Sequence, residues 1–448
     1  MGGGLIQLVA VGAQDIYLTG NPEITFFKAI YKRYTNFAKE CIEQPLDGDE
    51  TGRKSCILSR SADLVQEIYL KTTINLKTSN ETVFNNKSYI YPMLCDATNL
   101  IKEVSILVGG VTIDKHYEQW LDIYNELFEK NHQYRHSMST IGKFLYQDKN
   151  ITLTSTELKN NITEDIYIPL RFWFNKNPGL ALPLIALQYH DVVIILELNE
   201  KNKLKTFSLQ SESTTDSYIT ETNIADYTFK QVPCEIKDTL STVVSATPEI
   251  NITLSDTKLL ANYIYLDTEE RRKFSQAEHE YLIEQIQFSG KETGENSNIP
   301  KRIILTYNHP IKALFWTTIT TNVSKYIPSS EIILQLNGHD RFTPQPSDYF
   351  HLVQPYECDL GNDYSINNYT RKWSSNLYKT DSRHNISMYS FCLNPAKHQP
   401  SGTCNFSRID RAILSINNLS NTDDLYMFAL NYNVFKVVSG LGGLVYSS

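Results

Sequence analysis

Histidine can ligate a metal or carry a proton near neutral pH, and His132 and His136, four residues apart, would share one face of a helix as a zinc-binding pair does. No third ligand accompanies them. His190, His309, His339 and His351 each stand alone among apolar or turn residues, the setting of a structural imidazole rather than a catalytic one. The dipeptide His279-Glu280 opens like the zinc-protease signature, but no second histidine follows four residues after the first. A metal-dependent β-sandwich enzyme would need His and Glu clustered on adjacent strands, and no such cluster can be read. Nucleophile elbows of the form Gly-x-Ser-x-Gly, phosphate loops ending in Gly-Lys-Ser or Gly-Lys-Thr, and Gly-x-Gly-x-x-Gly turns opening a helix are absent. The glycine-rich segment Ser439 to Leu444 follows a strand pattern and reads as a turn. These residues predict no catalytic centre, no cofactor and no metal site.

The seven cysteines, Cys41, Cys56, Cys95, Cys234, Cys358, Cys392 and Cys404, lack both Cys-x-x-Cys pairs and the dense spacing of a disulfide framework, and read as reduced thiols. Acceptor triplets for N-linked sugar occur at Asn80, Asn86, Asn161, Asn322, Asn368 and Asn385, with others at Asn150, Asn251, Asn405 and Asn418. In a chain this rich in Asn, Ser and Thr most of them arise by composition. Met1-Gly-Gly-Gly has no basic residue ahead of the brief apolar run Leu5 to Val11, so a signal peptide is not expected, and Ile6 stands where a myristoylation site wants Ser or Thr. The most apolar stretch, Leu180 to Leu198, carries Pro183, His190, Asp191 and Glu197, so no transmembrane helix is expected.

Lys and Arg number 42 against 50 Asp and Glu, a formal net charge of -8. No broad basic surface is available to displace counterions from phosphates, so direct contact with nucleic acid is not expected. Lys32-Arg33 and Arg271-Arg272-Lys273 are too short to alter this and read as solvated faces.

Strand patterns dominate from about residue 55 onward. Val104, Ile106 and Val108 alternate with Ser105 and Leu107, Gly109-Gly110 tolerate positive φ, and Val111 and Ile113 resume, which predicts a β-hairpin. Ile332, Leu334 and Leu336 followed by Asn337-Gly338 predict a second. Val192 to Leu196 is apolar on both faces, as in a strand covered on both sides. Three helices are expected. The first is a short amphipathic helix capped by Asn21-Pro22, with Phe26, Phe27, Ile30, Tyr31 and Tyr34 at helical spacing; the others are Asp114 to Phe128 and Thr268 to Ala277. A polar stretch, Asn199 to Asn223, separates two strand-rich halves. The organisation read from these signals is an arm, 1–25, a first domain, 26–222, and a second, 223–448, built as two β-sandwiches.

Longer stretches then resemble a known family, the double-jelly-roll major capsid proteins of nucleocytoplasmic large DNA viruses. The resemblance runs nearly end to end: Gln7 to Lys28, Gly109 to Trp120, Ile168 to His190, Leu266 to Gln276, His279 to Glu284, Leu336-Asn-Gly-His-Asp-Arg-Phe342, Gln399 to Asp410, Leu430 to Val434 and Ser439 to Tyr446. The departures are the polar linker Asn199 to Asn223 and an insertion-like run, Gly361 to Asn376.

The resemblance implies an all-β fold of two tandem eight-stranded jelly rolls with short helical excursions and an N-terminal amphipathic helix. It implies a homotrimer whose two sandwiches per chain make a pseudo-hexagonal tile, with interfaces of about 2,000 Å² or more. Neighbouring capsomers, minor capsid and penton proteins, an internal membrane lying near but not spanned, and a capsid-folding chaperone are the partners it suggests, in a virion assembled in the host cytoplasm. Met1 to Phe37 is expected on the inner face, with Ile24, Phe26, Phe27, Ile30, Tyr31 and Arg33 as docking residues; the alternative is that these aromatics cap the base of the first sandwich. Two other functions share the fold: a minor capsomer or scaffolding paralogue, told apart by copy number, and a carbohydrate-binding jelly roll, told apart by a glycan array.

Overall fold

β-Branched and aromatic residues in runs broken by Gly, Asn and Pro make strands, nearly all paired antiparallel, the main element among the described residues. The computed structural model describes residues 3–48, 52–78, 83–84, 87–94, 97–129, 138, 161–201, 204, 206–211, 229–233, 235–236, 249–295, 300–320, 323–324, 330–360 and 386–446. Two units separate, Met1–Phe37 and Ala38–Ser448.

In the first unit the helical turns are α1 (Gly3–Val9) and α2 (Ile16–Thr19), neither with a buried residue. The amphipathic helix expected from Asn21 onward is not formed. Asn21 has φ 50°, in the left-handed region, whereas a helix N-cap needs extended backbone. β-Branched and aromatic side chains at Ile24 to Phe27 also lose rotamer freedom in a helix. A segment this short cannot repay helix nucleation without burying a face.

In the second unit the strands of the first half are β1 (Phe37–Pro45), β2 (Arg53–Ile57), β3 (Leu64–Thr78), β4 (Lys87–Leu94), β5 (Ile101–Val108), β6 (Val111–Tyr117), β7 (Asn161–Pro169), β8 (Val192–Leu198), β9 (Thr206–Ser211), β10 (Phe229–Pro233) and β11 (Glu249–Leu266). One sheet has β3 between β11 and β7, with β1 outside β11; the other runs β2, β8, β5, β6. A third, small sheet runs β10, β9, β4, so the linker expected to be merely polar contains a strand. Gly109 and Gly110, at φ 59° and 84°, close the β5–β6 hairpin as expected. The helix expected from Asp114 instead begins at Glu118, as α3 (Glu118–Leu127), because β6 carries on through Tyr117 to pair Glu103. Along β8 burial alternates between full and partial, so its second face is only half covered.

Strand β11 lies beyond the expected boundary at residue 222, yet it pairs with β3 from Ile250–Thr78 to Ile264–Leu64. The chain leaves the first sandwich only at Asp267, whose carboxylate accepts from Thr268 N at 2.8 Å and caps α5 (Thr268–Gln276). The apolar residues Tyr263 and Ile264 set this: Tyr263 joins the core whose other wall is built by β2, β5 and β8, and Ile264 packs with Leu64 and Ala181.

The second sandwich follows as β12 (His279–Thr293), β13 (Lys301–Leu305), β14 (Pro310–Thr320), β15 (Glu331–Leu336), β16 (Ile386–Ser390), β17 (Ala412–Ile416), β18 (Asp423–Val438) and β19 (Leu441–Leu444). One sheet runs β12, β18, β14, β16 with β19 against β18, and the other β13, β17, β15. Asn337-Gly338, at φ 50° and 82°, turn β15 back on His339–Asp340 as the sequence predicts. Between the sheets lie Ile303, Leu314, Trp316, Leu334, Leu414 and Met427.

Candidate functional site

Strand β14 decides where the two halves meet. Ile311 to Phe315 are all fully buried, without the alternation of a sheet that faces water. Leu314 points into the second sandwich; Ala313 and Phe315 belong to a separate apolar cluster with Trp120 and Ile123 from α3. A helix of the first half thus covers the outer face of a sheet of the second. Trp120 stands 5.5 Å from Phe315 and 5.9 Å from Phe428, ring centre to ring centre.

In the middle of the same apolar strand sits Lys312, 1% exposed. Its ammonium group bonds Glu284 Oε1 on β12, donates to the carbonyls of Pro395 at 2.9 Å and Lys397 at 3.1 Å, and lies 4.9 Å over the Tyr432 ring. The other carboxylate oxygen of Glu284 takes Lys176 Nζ at 3.1 Å. Lys176 ends α4 (Trp173–Lys176) in the first half, so the node bridges the two sandwiches. Burial pushes the Glu284 carboxyl up, but Lys176 and then Lys312 outweigh it and hold it below the usual range. Burial likewise pulls Lys176 down, and Glu284 more than restores it.

Around this node the halves exchange hydrogen bonds. Gln285 Nε2 donates to the Ile113 carbonyl, and Ile286 N donates to Asp114 Oδ1 at 3.1 Å. Within the second half, Asn433 Nδ2 holds Gln285 in place, donating to Gln285 Oε1 and to the Tyr446 carbonyl, both at 2.9 Å. Asp114 Oδ2 also holds His116 Nε2 at 2.9 Å, and the imidazole stacks on Phe172. At a third contact Gly442 N donates to His190 Nδ1 at 3.1 Å and Tyr189 N to the Gly440 carbonyl at 3.1 Å. Backbones approach closely here: a Cβ on Gly442 would lie 2.5 Å from Leu187.

Chemically the joint fixes rather than reacts. Every charge in it is engaged by a fixed partner, and Trp173 against Phe435 carries the apolar core across as well. Among the described residues, no three His, Cys, Asp or Glu side chains form a group that could hold a metal, and no helix is long and apolar enough to cross a membrane.

The residues singled out from sequence lie elsewhere. Ile24, Phe26, Phe27, Ile30, Tyr31 and Arg33 are exposed, on irregular backbone, Phe27 at 97%. Asn161 opens β7; Asn80, Asn86, Asn322, Asn368 and Asn385, like His132 and His136, lie outside the described residues. Sequence reading missed Lys176, Glu284 and Lys312. A signal was there: a lysine in the run Pro-Ile-Lys-Ala-Leu-Phe-Trp is a charge with no solvent to reach, and buried lysines require partners.

Comparison with known proteins gives the same picture over the whole chain. The family described as major capsid protein N-terminus matches residues 25–267, and that described as large eukaryotic DNA virus major capsid protein matches 270–360 and 374–443. The major capsid protein of Pyramimonas orientalis virus is 39% identical over 100% of both chains, and that of Paramecium bursaria Chlorella virus 1 is 35% identical, again over 100% of both. The solved structure of the latter virus's VP54, fitted into a reconstruction of the virophage Sputnik, is 29% identical, with a TM-score of 0.66 over 95% of this chain and 100% of that one. The Faustovirus major capsid protein, 11% identical with a TM-score of 0.64 over 96% and 94%, shares the fold.

Proposed function

Because the chain belongs to the large eukaryotic DNA virus major capsid protein family, we propose that three copies of this structural capsid protein form a pseudo-hexagonal capsomer, and that capsomers tile the outer icosahedral shell. The observation that carries the reading is the joint. Two antiparallel sandwiches are tied by a buried ion cluster, an aromatic seam and a glycine contact, so each chain contributes two like edges at a fixed angle. A threefold axis converts two edges into six, the number a flat hexagonal lattice needs, and a hinge between them would spoil the packing.

The finer partners follow from the same reading. Neighbouring capsomers meet edge to edge; minor capsid and penton proteins sit beneath or beside them, above the internal membrane. The arm takes the inner-face role, with Ile24, Phe26, Phe27, Ile30, Tyr31 and Arg33 as its contacts. Its support is composition: apolar side chains at 66% to 97% exposure in Ile24, Phe26, Phe27, Ile30 and Tyr31 gain by meeting a partner. Assembly in the host cytoplasm and help from a folding chaperone belong to the same proposal. The two jelly-roll domains are best divided at Asp267.

Light scattering on the purified protein tests the assembly. A mass near three times 51.4 kDa, with hexagonal tiles by electron microscopy, is the expected result. A stable monomer at micromolar concentration would overturn it. Removing Met1 to Phe37 is expected to leave the trimer and abolish closed shells; a truncated chain that still closes shells would sink the arm's role.

A further inference from the structure

The unit Met1–Phe37 wears outside what the sandwiches keep inside. Among the described residues, fifteen of the twenty-six exposed large hydrophobic side chains lie within it. Helix α1 is amphipathic: at helical spacing Leu5, Ile6, Leu8 and Val9 share one side and Gln7 falls opposite, yet no residue of the helix is buried. Tyr17 and Leu18 on α2 stand free as well.

Charge is as unevenly placed as apolar surface. Between Glu23 and Glu40 there is no acidic residue, while Lys28, Lys32 and Arg33, all exposed, stand among Phe26, Phe27, Ile30 and Tyr31. The chain as a whole has the opposite balance, 50 acidic residues to 42 basic. Three cations in one short segment complement an anionic surface. The mixture of types says which kind. Aromatic rings and long basic side chains each carry an apolar body with a polar end, which suits the layer between lipid headgroups and acyl chains. A protein groove would select one stripe on a regular helix or strand, whereas from Ile24 to Asn36 the backbone is irregular and the side chains are exposed all round. A fluid boundary accepts that arrangement. Irregular backbone still needs water for its polar groups, so the segment can lie at headgroup depth and no deeper.

We infer that Met1–Phe37 is a lipid-surface anchor: the apolar side of α1 and the aromatic side chains around Phe26 enter the headgroup boundary of a membrane, and Lys28, Lys32 and Arg33 meet its anionic lipids. The inference deepens the inner-face role proposed above and rests on it only for where the membrane lies, naming lipid as the partner. Near an anionic surface three cations together strengthen binding about a hundredfold. One arm alone binds reversibly. If three chains form a capsomer, three arms reach one surface and the bound state is prolonged by their linkage.

The experiment floats the full-length chain with vesicles of phosphatidylcholine alone and of phosphatidylcholine mixed with phosphatidylglycerol, and records the mass of the same sample by light scattering. At low salt the anionic vesicles are expected to bind about a hundredfold more tightly than the neutral ones, and added salt to narrow the gap. Lys28→Gln with Lys32→Gln and Arg33→Gln should erase that gap. Phe26→Ser with Phe27→Ser and Tyr31→Ser should weaken binding to both kinds of vesicle. All six side chains are exposed, so both variants should unfold at the wild-type temperature. The inference is overturned if the wild-type chain stays unbound by anionic vesicles, as it would if the arm met a protein instead, or if the serine variant floats as well as wild type. A monomer that floats would overturn the trimer and leave the anchor standing; a trimer that does not float would do the reverse.

Discussion

Two of the contacts that join the sandwiches differ in kind. At the aromatic seam, Trp120 of α3 lies against Phe315 and Phe428 in an apolar cluster. At the polar node, Lys176, Glu284 and Lys312 give up water for one another and for the carbonyls of Pro395 and Lys397. The seam supplies energy in proportion to the apolar area it hides, and it tolerates small slips. The node supplies little net energy, because desolvating three charges offsets their attraction. What it supplies is direction: two ammonium groups meet opposite oxygens of one carboxylate only at one mutual orientation of the halves. The proposed tile would need both, adhesion to hold the sandwiches and an orientation that repeats in every copy.

The seam should show the larger loss when cut. Trp120→Ala removes a fully buried indole that four aromatic rings surround, and is expected to cost about 4–5 kcal/mol, the upper end for an aromatic truncated in a core. Denaturant unfolding measures it. A loss below about 1 kcal/mol would mean that α3 is not the fastening it looks to be.

The node separates energy from direction. Glu284→Gln leaves two ammonium groups facing an amide in a dry site and should cost about 3 kcal/mol. Replacing the whole node, Lys176→Met with Glu284→Leu and Lys312→Met, should leave stability unchanged within about 1–2 kcal/mol. The triple variant's yield of hexagonal tiles should nevertheless fall. Normal tiles from it would show that the seam alone fixes the angle. A smaller effect comes from the glycine contact. Gly442→Ala puts a methyl group 2.5 Å from Leu187 and 3.0 Å from Phe435, both buried, for a cost of about 1–2 kcal/mol that a thermal scan would register.

The same contrast explains what could be read in advance. Hairpins at Gly109-Gly110 and Asn337-Gly338 were legible because turn chemistry is local, and α5 because Asp267, Glu269 and Glu270 mark a helix start. The seam was half legible: Trp120 lies in a stretch that resembles the family, but its partners Phe315 and Phe428 are some 200 and 300 residues away along the chain. The helix after Asn21 failed because periodicity says only which face would be apolar, and not that burying it happens within the segment. The end of the first domain was missed because β11 pairs with β3 across more than 170 residues, whereas a Ser- and Thr-rich stretch looks like a linker from sequence alone. The node was least legible, since a carboxylate between two lysines exists only once three elements are brought together.

Acid should loosen the node before it touches the seam, and this is the smallest and most specific of the effects. Glu284 has its folded-state pKa held below the ordinary glutamate value of 4.5. A carboxyl depressed on folding contributes stability that is fully present above its unfolded pKa and is lost as pH falls through the folded one. The loss therefore begins below about pH 4.5 and runs on to the lower folded value. At the other end Lys176, raised above 10.5, contributes stability that is present below that pH and is lost as pH climbs past it. The wild-type protein should thus show a pH dependence of unfolding below pH 4.5 that Glu284→Gln flattens, while Trp120→Ala shifts the whole curve without changing its slope there. Equal slopes in wild type and Glu284→Gln would mean that the carboxylate is not the acid-sensitive part of the joint, and that other carboxyl groups carry the acid response.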